Sequence, residues 1–280
     1  MQDLIQSMIE KWPQLANILD LAKFSFLVYA IGLIVEYFRP AEKNQPSEDI
    51  RFNVIYTLFF ITMNTLVFAV FIKIKQPVVE FIGGPYFTFH FGASRLQQIL
   101  HALTFLFIFD FFYYWFHRWQ HTLKVFWAQH QFHHADPSLN ITTSSRHHWL
   151  EDSLRIFIIL IPMSILFGFK AEAVGWIWST FMLWGFFIHL NIKLNLGFLT
   201  GVFGGPQLHR IHHSNLKPHL DKNFAAFFPI FDILFGTFYY PKKDEYPTTG
   251  LYGGPDMNNL KAANLYPFIY WYKQIKKKFK

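Results

Sequence analysis

Residues Phe52–Ile72 read FNVIYTLFFITMNTLVFAVFI, 21 consecutive positions without a charged side chain. A bilayer's hydrocarbon core, about 30 Å thick, takes about 20 apolar residues as helix. This stretch is long enough to cross it. Composition around the stretch agrees: of 280 residues, 52% are hydrophobic, 21% aromatic and only 15% charged. Soluble domains carry about 25% charged residues, so this surface cannot all face water. The formal net charge of +7 then belongs with an anionic membrane surface, and nucleic acid is not expected as a partner. Working outward, Leu21–Phe38 carries only Lys23 and Glu36, near its ends, and Ile99–Phe116 is apolar apart from His101 and Asp110. Leu154–Phe169 and Ala173–His189 are shorter and read as a hairpin of buried helices that spans the bilayer or dips into it. The predicted fold is all-α and integral to the membrane, a bundle of about four transmembrane helices.

Orientation follows from Lys and Arg in the connections. With the stretch after Phe116 placed in the cytoplasm, that side collects 19 basic residues and the other six: Lys11, Lys23, Lys73, Lys75, Arg95 and Lys170. The amino terminus is therefore expected outside, and a cytoplasmic helical cap inside. No basic segment precedes the first apolar run, as a secretory signal would require.

That cap holds the main chemical signal. Of 14 His, 11 fall between His117 and His213. His117-Arg118-Trp119-Gln120-His121 puts two imidazoles on one helix face, at i and i+4. His130-Gln131-Phe132-His133-His134 gives i, i+3, i+4, and His209-Arg210-Ile211-His212-His213 repeats it. His189 ends the fifth apolar segment, at the face where His117 begins its box. Nine imidazoles (His117, His121, His130, His133, His134, His189, His209, His212, His213) exceed what one first-row ion takes, so two ions with four or five His each are expected. Imidazole suits iron, zinc, copper and nickel. His90, His101 and His219 read as ordinary interfacial or core residues. His101 lies about 24 Å along a helix from His117.

Metal-bound His usually passes its other N–H to a carboxylate or carbonyl. Asp110, two turns before His117 and on its face, is the first candidate, because a carboxylate in a membrane helix is functional by default. Glu151, His147, His148 and Asn191 are further candidates for supporting the ligands or meeting the substrate. Asp221 and Asp232 are weaker, because loop carboxylates are commonly just solvated. With no Cys at all, thiolate zinc sites, Cys-ligated clusters and Cys nucleophiles are excluded. There is no His-Glu-x-x-His, no Gly-x-Ser-x-Gly and no phosphate or dinucleotide loop. A redox metal pair with apolar walls remains, suited to turning O₂ on an unactivated C–H bond of a lipid.

The boxes, together with Phe126–His134, Asn140–His147, Asp221-Lys222-Asn223 and Phe231–Thr237, resemble the fatty acid hydroxylase / sterol desaturase superfamily. The Phe126–Arg146 stretch is closest to its alkylglycerol-monooxygenase and bacterial sterol-desaturase-like branch. The resemblance implies a catalytic unit over 95–241, between N-terminal membrane helices (1–94) and a basic tail (242–280). It implies two iron ions, with zinc as a substitute on purification, and O₂ as co-substrate. It also implies a membrane lipid substrate and a separate electron donor: a cytochrome, ferredoxin or reductase. No residues before Leu21 suffice for a fused cytochrome. The expected location is the inner membrane in a bacterium or the endoplasmic reticulum in a eukaryote, with the site facing the cytoplasm. Some hydroxylases of the group carry a ligand four residues after the His matching His189; here that position is Lys193.

The expected reaction is hydroxylation of a fatty acyl, sterol or alkylglycerol-type lipid, with desaturation on the same site as its alternative. A metal transporter should place polar residues midway through several spans, which Phe52–Ile72 does not. A haem carrier needs paired axial His on facing helices. The tail Lys276-Lys277-Lys278-Phe279-Lys280 suits donor docking or an anionic-lipid anchor, and formally resembles a dilysine retrieval signal. The sequence leaves the lipid and the oligomeric state open.

Overall fold

The computed structural model describes residues 12–89, 92, 94–168, 171–251 and 253–278. Lys11, His90, Lys170 and the end of the tail, Phe279-Lys280, lie outside the described residues. Among the described residues, three helices are long and apolar enough to cross a membrane: α1 (Pro13–Phe38), α2 (Ser47–Ile82) and α3 (Arg95–Thr122). At 1.5 Å rise per residue they measure about 39, 54 and 42 Å. The chain is a membrane protein.

These helices are built inside out. On α1 the buried positions are Ala22, Ser25, Tyr29, Gly32 and Glu36, spaced 3, 4, 3, 4 along one face, while Leu27, Ile31 and Ile34 are exposed. On α2, Asp49, Asn53, Tyr56 and Thr57 are buried, while Leu58, Leu66 and Val70 face out. Lipid is as apolar as Leu, so packing selects small and hydrogen-bonding residues for the interior. Gly32 is one such residue: a Cβ there would collide with the Ile141 side chain. α3 starts on a capping box, Ser94 Oγ accepting from Gln97 N and Gln97 Oε1 from Ser94 N.

The apolar segment Leu154–Phe169, read as one helix, is not regular. It runs as α5 (Leu150–Arg155), a π-helical stretch (Ile156–Leu160) and α6 (Ile161–Leu166). Pro162 lacks the N–H that an α-helix would present to the preceding turn, and its ring crowds that turn's carbonyl; a locally wider helix accommodates it. The second arm of the hairpin is α7 (Ala171–Ile188). Two short strands, β1 (Phe87–Thr88) and β2 (Phe167–Gly168), pair in parallel and fasten the hairpin tip to the α2–α3 connection. Both arms therefore run from the histidine end of the molecule to the opposite end. An aromatic core of Phe105, Phe109, Phe116, Ile159, Met163 and Phe227 joins α3 to the first arm.

At the histidine end, α4 (Lys124–His134) folds back from α3, and α8 (Pro206–His212) and α9 (Ile230–Leu234) lie in the connections beyond α7. The segment read as a basic tail holds a helix, α10 (Leu260–Lys278). It lies against α4, where Trp271 Nε1 donates to Val125 O at 2.9 Å.

Candidate metal centre

The nine boxed and flanking histidines converge, and they divide. One ring nitrogen from each of His117, His121, His130, His134 and His212 falls within a 4.8 Å group; His133, His189, His209 and His213 form a second. Within the box His130–His134, the i, i+3, i+4 spacing splits the ligands: His130 and His134 go to one pocket and His133 to the other. The last box splits likewise, His212 to the first pocket and His209 with His213 to the second.

Ring protons can be assigned from the outer nitrogens. His117 Nδ1 donates to Phe224 O (2.7 Å), His189 Nδ1 to Gly185 O (2.6 Å) and His212 Nδ1 to Lys222 O (2.8 Å). A carbonyl only accepts, so the inward Nε2 of each neutral ring carries a lone pair. His130 Nδ1 faces Glu151 Oε2 at 3.4 Å, which directs its Nε2 lone pair inward too. That Nε2 lies 3.1 Å from His117 Nε2. Two lone pairs that close repel unless a cation sits against both. In the second pocket, His189 Nε2 is 3.2 Å from His133 Nε2 and 3.0 Å from His209 Nε2. Nε2 of His121, His134 and His212 is buried with no partner, which a native fold rarely tolerates without an ion or water. All-imidazole donor sets of five and four fit first-row metals, iron among them.

Charge follows burial. Burial first, and neighbouring imidazoles second, hold His133, His134, His209 and His213 well below the ordinary imidazole pKa; burial and His121 do so for His212. The rings stay neutral, as ligands must be. Burial opposes ionisation of Glu151, yet the facing His147 and His130 outweigh it and hold its carboxyl well below the usual range.

The supporting positions fall out differently from expectation. Asp110 touches no imidazole. Its two oxygens accept from the backbone N–H of Ala226 (2.9 Å), Phe227 (3.1 Å) and Phe228 (2.7 Å). Asp232, rated a solvated loop residue, is buried and accepts from Phe224 N and Ala225 N, 2.8 and 2.9 Å away. Two carboxylates thus clamp five consecutive amides, Phe224 to Phe228, and the first of those residues supplies the carbonyl for His117. Just before it, Asp221 (φ 56°) and Asn223 (φ 59°) are left-handed, a conformation Asp and Asn enter more cheaply than other side chains. Those turns aim the carbonyls of Lys222 and Phe224 at His212 and His117. Asp221 also brings Oδ1 to 3.5 Å from His121 Nδ1.

Glu151 meets both His130 and His147, the latter at 3.1 Å, and Arg155 at 3.0 Å. His147 stacks on His133 with ring centres 4.0 Å apart. His148 turns away: its Nε2 donates to Asn264 O in α10 at 3.1 Å, and its Nδ1 accepts from Leu150 N. Asn191 touches none of the nine. Its Oδ1 accepts from Glu42 N and Arg210 Nη1, and its N–H donates to Glu36 Oε1. Glu36 also accepts from Ile141 N at 2.8 Å and so ties α1 to both loops behind the site. His219 pairs with Ser214 and Glu245, as an ordinary structural residue.

Sequence reading passed over Arg146 as a site residue. Fully buried, it donates to Phe132 O, Asn53 Oδ1 and Asn258 Oδ1, fixing the end of α4 where His133 and His134 sit. Its only sequence signal is an arginine inside the resembling stretch Asn140–His147.

A cavity of about 220 Å³ opens beside the second pocket, where His133, His189 and His209 form part of its wall. None of the five histidines of the first pocket reaches it. Much of the remaining wall is apolar and aromatic, including Phe60, Trp178, Phe181 and Trp184.

Residues 102–237 match the family described as Fatty acid hydroxylase. The matched stretch, just under half of the chain, is similar to that family's domain. It contains all nine clustered histidines, both clamping carboxylates and both arms of the hairpin. The chain is 38% identical over 130 residues to alkylglycerol monooxygenase of Homo sapiens, covering 46% of this chain and 28% of that protein. It is 29% identical over 154 residues to ornithine lipid hydroxylase OlsE of Rhizobium tropici, 55% of this chain and 46% of that one. A methylsterol monooxygenase, 1-3 of Arabidopsis thaliana, is 31% identical over 156 residues, 51% and 50% of the two chains. The aligned parts thus span from about a quarter to half of these relatives' length. No solved structure matches the chain.

Proposed function

We propose that this protein is an O₂-dependent lipid monooxygenase whose two iron ions are held by the five-histidine and four-histidine pockets. The single observation that carries the reading is the gathering of nine histidine ring nitrogens into a group of five and a group of four, the second of which borders a largely apolar cavity. Iron held by imidazole supplies the activation of O₂ that an unactivated C–H bond requires. The chain's own contributions are positional. Carbonyls of Phe224, Gly185 and Lys222 hold the ring protons outward, and the Asp110–Asp232 clamp fixes the loop that carries one of them. The aromatic wall of Trp178, Phe181 and Trp184 shapes an apolar chamber and keeps bulk water from it. The lipid's reacting carbon lies next to the four-histidine pocket, because only that pocket meets the cavity.

The relatives' names support a lipid substrate; that the reaction is oxygen insertion rather than desaturation is part of this proposal. The electron donor is a separate protein docking on the cytoplasmic face, which the 19-to-6 distribution of basic residues makes positive. The test is lipidomics of cells with and without the gene, under labelled O₂. Oxygenation leaves label in a lipid product. A loss of two hydrogens without label in that lipid would replace hydroxylation by desaturation.

A further inference from the structure

Among the described residues, α10 keeps one apolar face largely uncovered. The helix turns Ala263 and Pro267 inward, and Tyr266, Tyr270 and Gln274 continue that side half-buried. At about 100° per residue, the opposite side carries Leu265, Phe268, Ile269, Tyr272 and Ile275. All five are between 41 and 64% exposed. A stripe of large apolar side chains differs from the scattered single ones of an ordinary surface. Lys261 and Lys276 stand at the two ends of the stripe and Lys273 and Lys277 beside it, all exposed.

The inner side of α10 fixes its depth. Ala263 belongs to one buried cluster with Tyr56 of α2 and Phe132 of α4, and Tyr266 packs against it. Tyr56 stands one turn inside the uncharged run Phe52–Ile72, so α10 lies where the hydrocarbon begins. Nearby, Ile55 and Leu58 on α2 and Trp119 and Leu123 where α3 ends are also exposed, as lipid-facing residues are. Trp271 Nε1 donates to Val125 O, two residues beyond Leu123, so the stripe adjoins that surface.

We propose that α10 lies in the plane of the membrane surface, its outer stripe sunk at the boundary of headgroups and acyl chains and its lysines holding anionic lipid headgroups. From Leu260 to Lys278 there are five lysines and no acidic residue, the complement of an anionic leaflet. A lysine stem covers apolar surface while its ammonium reaches the headgroup layer, which suits Lys261 and Lys276 in line with the stripe. An acidic protein partner would match the lysines but not an apolar face set at the depth of the hydrocarbon boundary. Because α10 is tied to His148 through Asn264 O and to α4 through Trp271, the anchor holds the histidine pockets against the membrane surface.

The chain has no Cys, so a single introduced cysteine is the only labelling site. The test places an environment-sensitive fluorophore on full-length Ile269→Cys and Tyr272→Cys, in nanodiscs of phosphatidylcholine mixed with phosphatidylglycerol. Leu58→Cys on the outer side of α2 and Asp244→Cys in an exposed loop are the lipid and water references. Both α10 labels should be quenched like the Leu58→Cys label by a nitroxide near the top of the lipid acyl chain. They should resist aqueous acrylamide, which reaches the Asp244→Cys label freely. A nitroxide carried on phosphatidylglycerol should be enriched about 5-fold at the Tyr272→Cys label over the same nitroxide on phosphatidylcholine, the attraction of about one lysine. Adding Lys273→Gln and Lys277→Gln should abolish that preference and keep the protection from acrylamide. If acrylamide quenches the α10 labels as it does the Asp244→Cys label, the face is in water and the anchor is overturned. Shielding from both acrylamide and lipid nitroxide overturns it as well, because protein, such as a second copy of the chain, then covers the stripe. Equal quenching by the two nitroxide lipids refutes the anionic headgroup site.

Discussion

His189 stands outside every box, with Phe186, Phe187, Ile188 and Leu190 around it, and its periodicity is that of a lone residue at a helix end. Its tertiary setting is different: Nδ1 is committed to Gly185 O and Nε2 faces His133 and His209. His189→Ala should reduce iron after reconstitution from about two per chain to about one, with His101→Ala retaining both. Two ions retained by His189→Ala would remove it from the ligand set. Asp110 makes a different prediction now that its partners are backbone amides. Asp110→Asn keeps one acceptor oxygen and points an NH₂ at amides that also donate, so it should cost about 2–4 kcal/mol of stability. Thermal unfolding in detergent should show the loss, with metal released at the same lowered temperature; an unchanged unfolding temperature would contradict the clamp. Acid should act on the whole cluster. The folded rings of His133, His134, His209, His212 and His213 bind protons less readily than in an unfolded chain, where imidazole titrates near 6.5. Fewer protons in the folded state mean stability that is present above about pH 6.5 and lost as pH falls below it. Metal content and unfolding temperature, measured between pH 8 and pH 5, should fall together on the acid side.

At the level of elements, the histidine boxes work because short helices present them from different directions. α4 is 11 residues and α8 only seven, too short to be stable alone, so their placement depends on what grips them. Arg146 is the grip on α4: three hydrogen bonds from one guanidinium reach the end of α4, α2 and the segment leading to α10. A lysine has a single nitrogen and no planar fork. Arg146→Lys should therefore cost about 3 kcal/mol or more and leave 242–278 more open to protease, compared with wild type by limited digestion. Equal digestion rates would mean that α10 holds to α4 without it. Pro162 shows the opposite case, an element broken by one residue in a segment whose hydropathy reads as continuous.

For the molecule as a whole, the direction of insertion is the remaining prediction. With 19 basic residues on the histidine side and six on the other, the carboxyl terminus should be cytoplasmic; a reporter fused after Lys280 that is active only outside the cytoplasm would reverse the topology. The apolar runs around residues 21–38, 52–72 and 99–116 each became a helix of spanning length, because length and hydrophobicity are local properties that lipid reads directly. The box spacings are equally local, since i, i+3 and i+4 share a helix face whatever surrounds it. Sequence therefore determined the membrane class, the family resemblance of residues 102–237 and the identity of the clustered histidines. It could not say how nine histidines divide into five and four. Neighbours such as His133 and His134 project about 100° apart on a helix, and only the packing of α4, α8 and the end of α7 decides which pocket each enters. Nor could it say that Asp110 and Asp232 hold one loop, or that His148 and Asn191 face away from the metal pockets. Those roles depend on which backbone amides and carbonyls lie opposite, a matter of long-range packing that spacing along the chain does not encode.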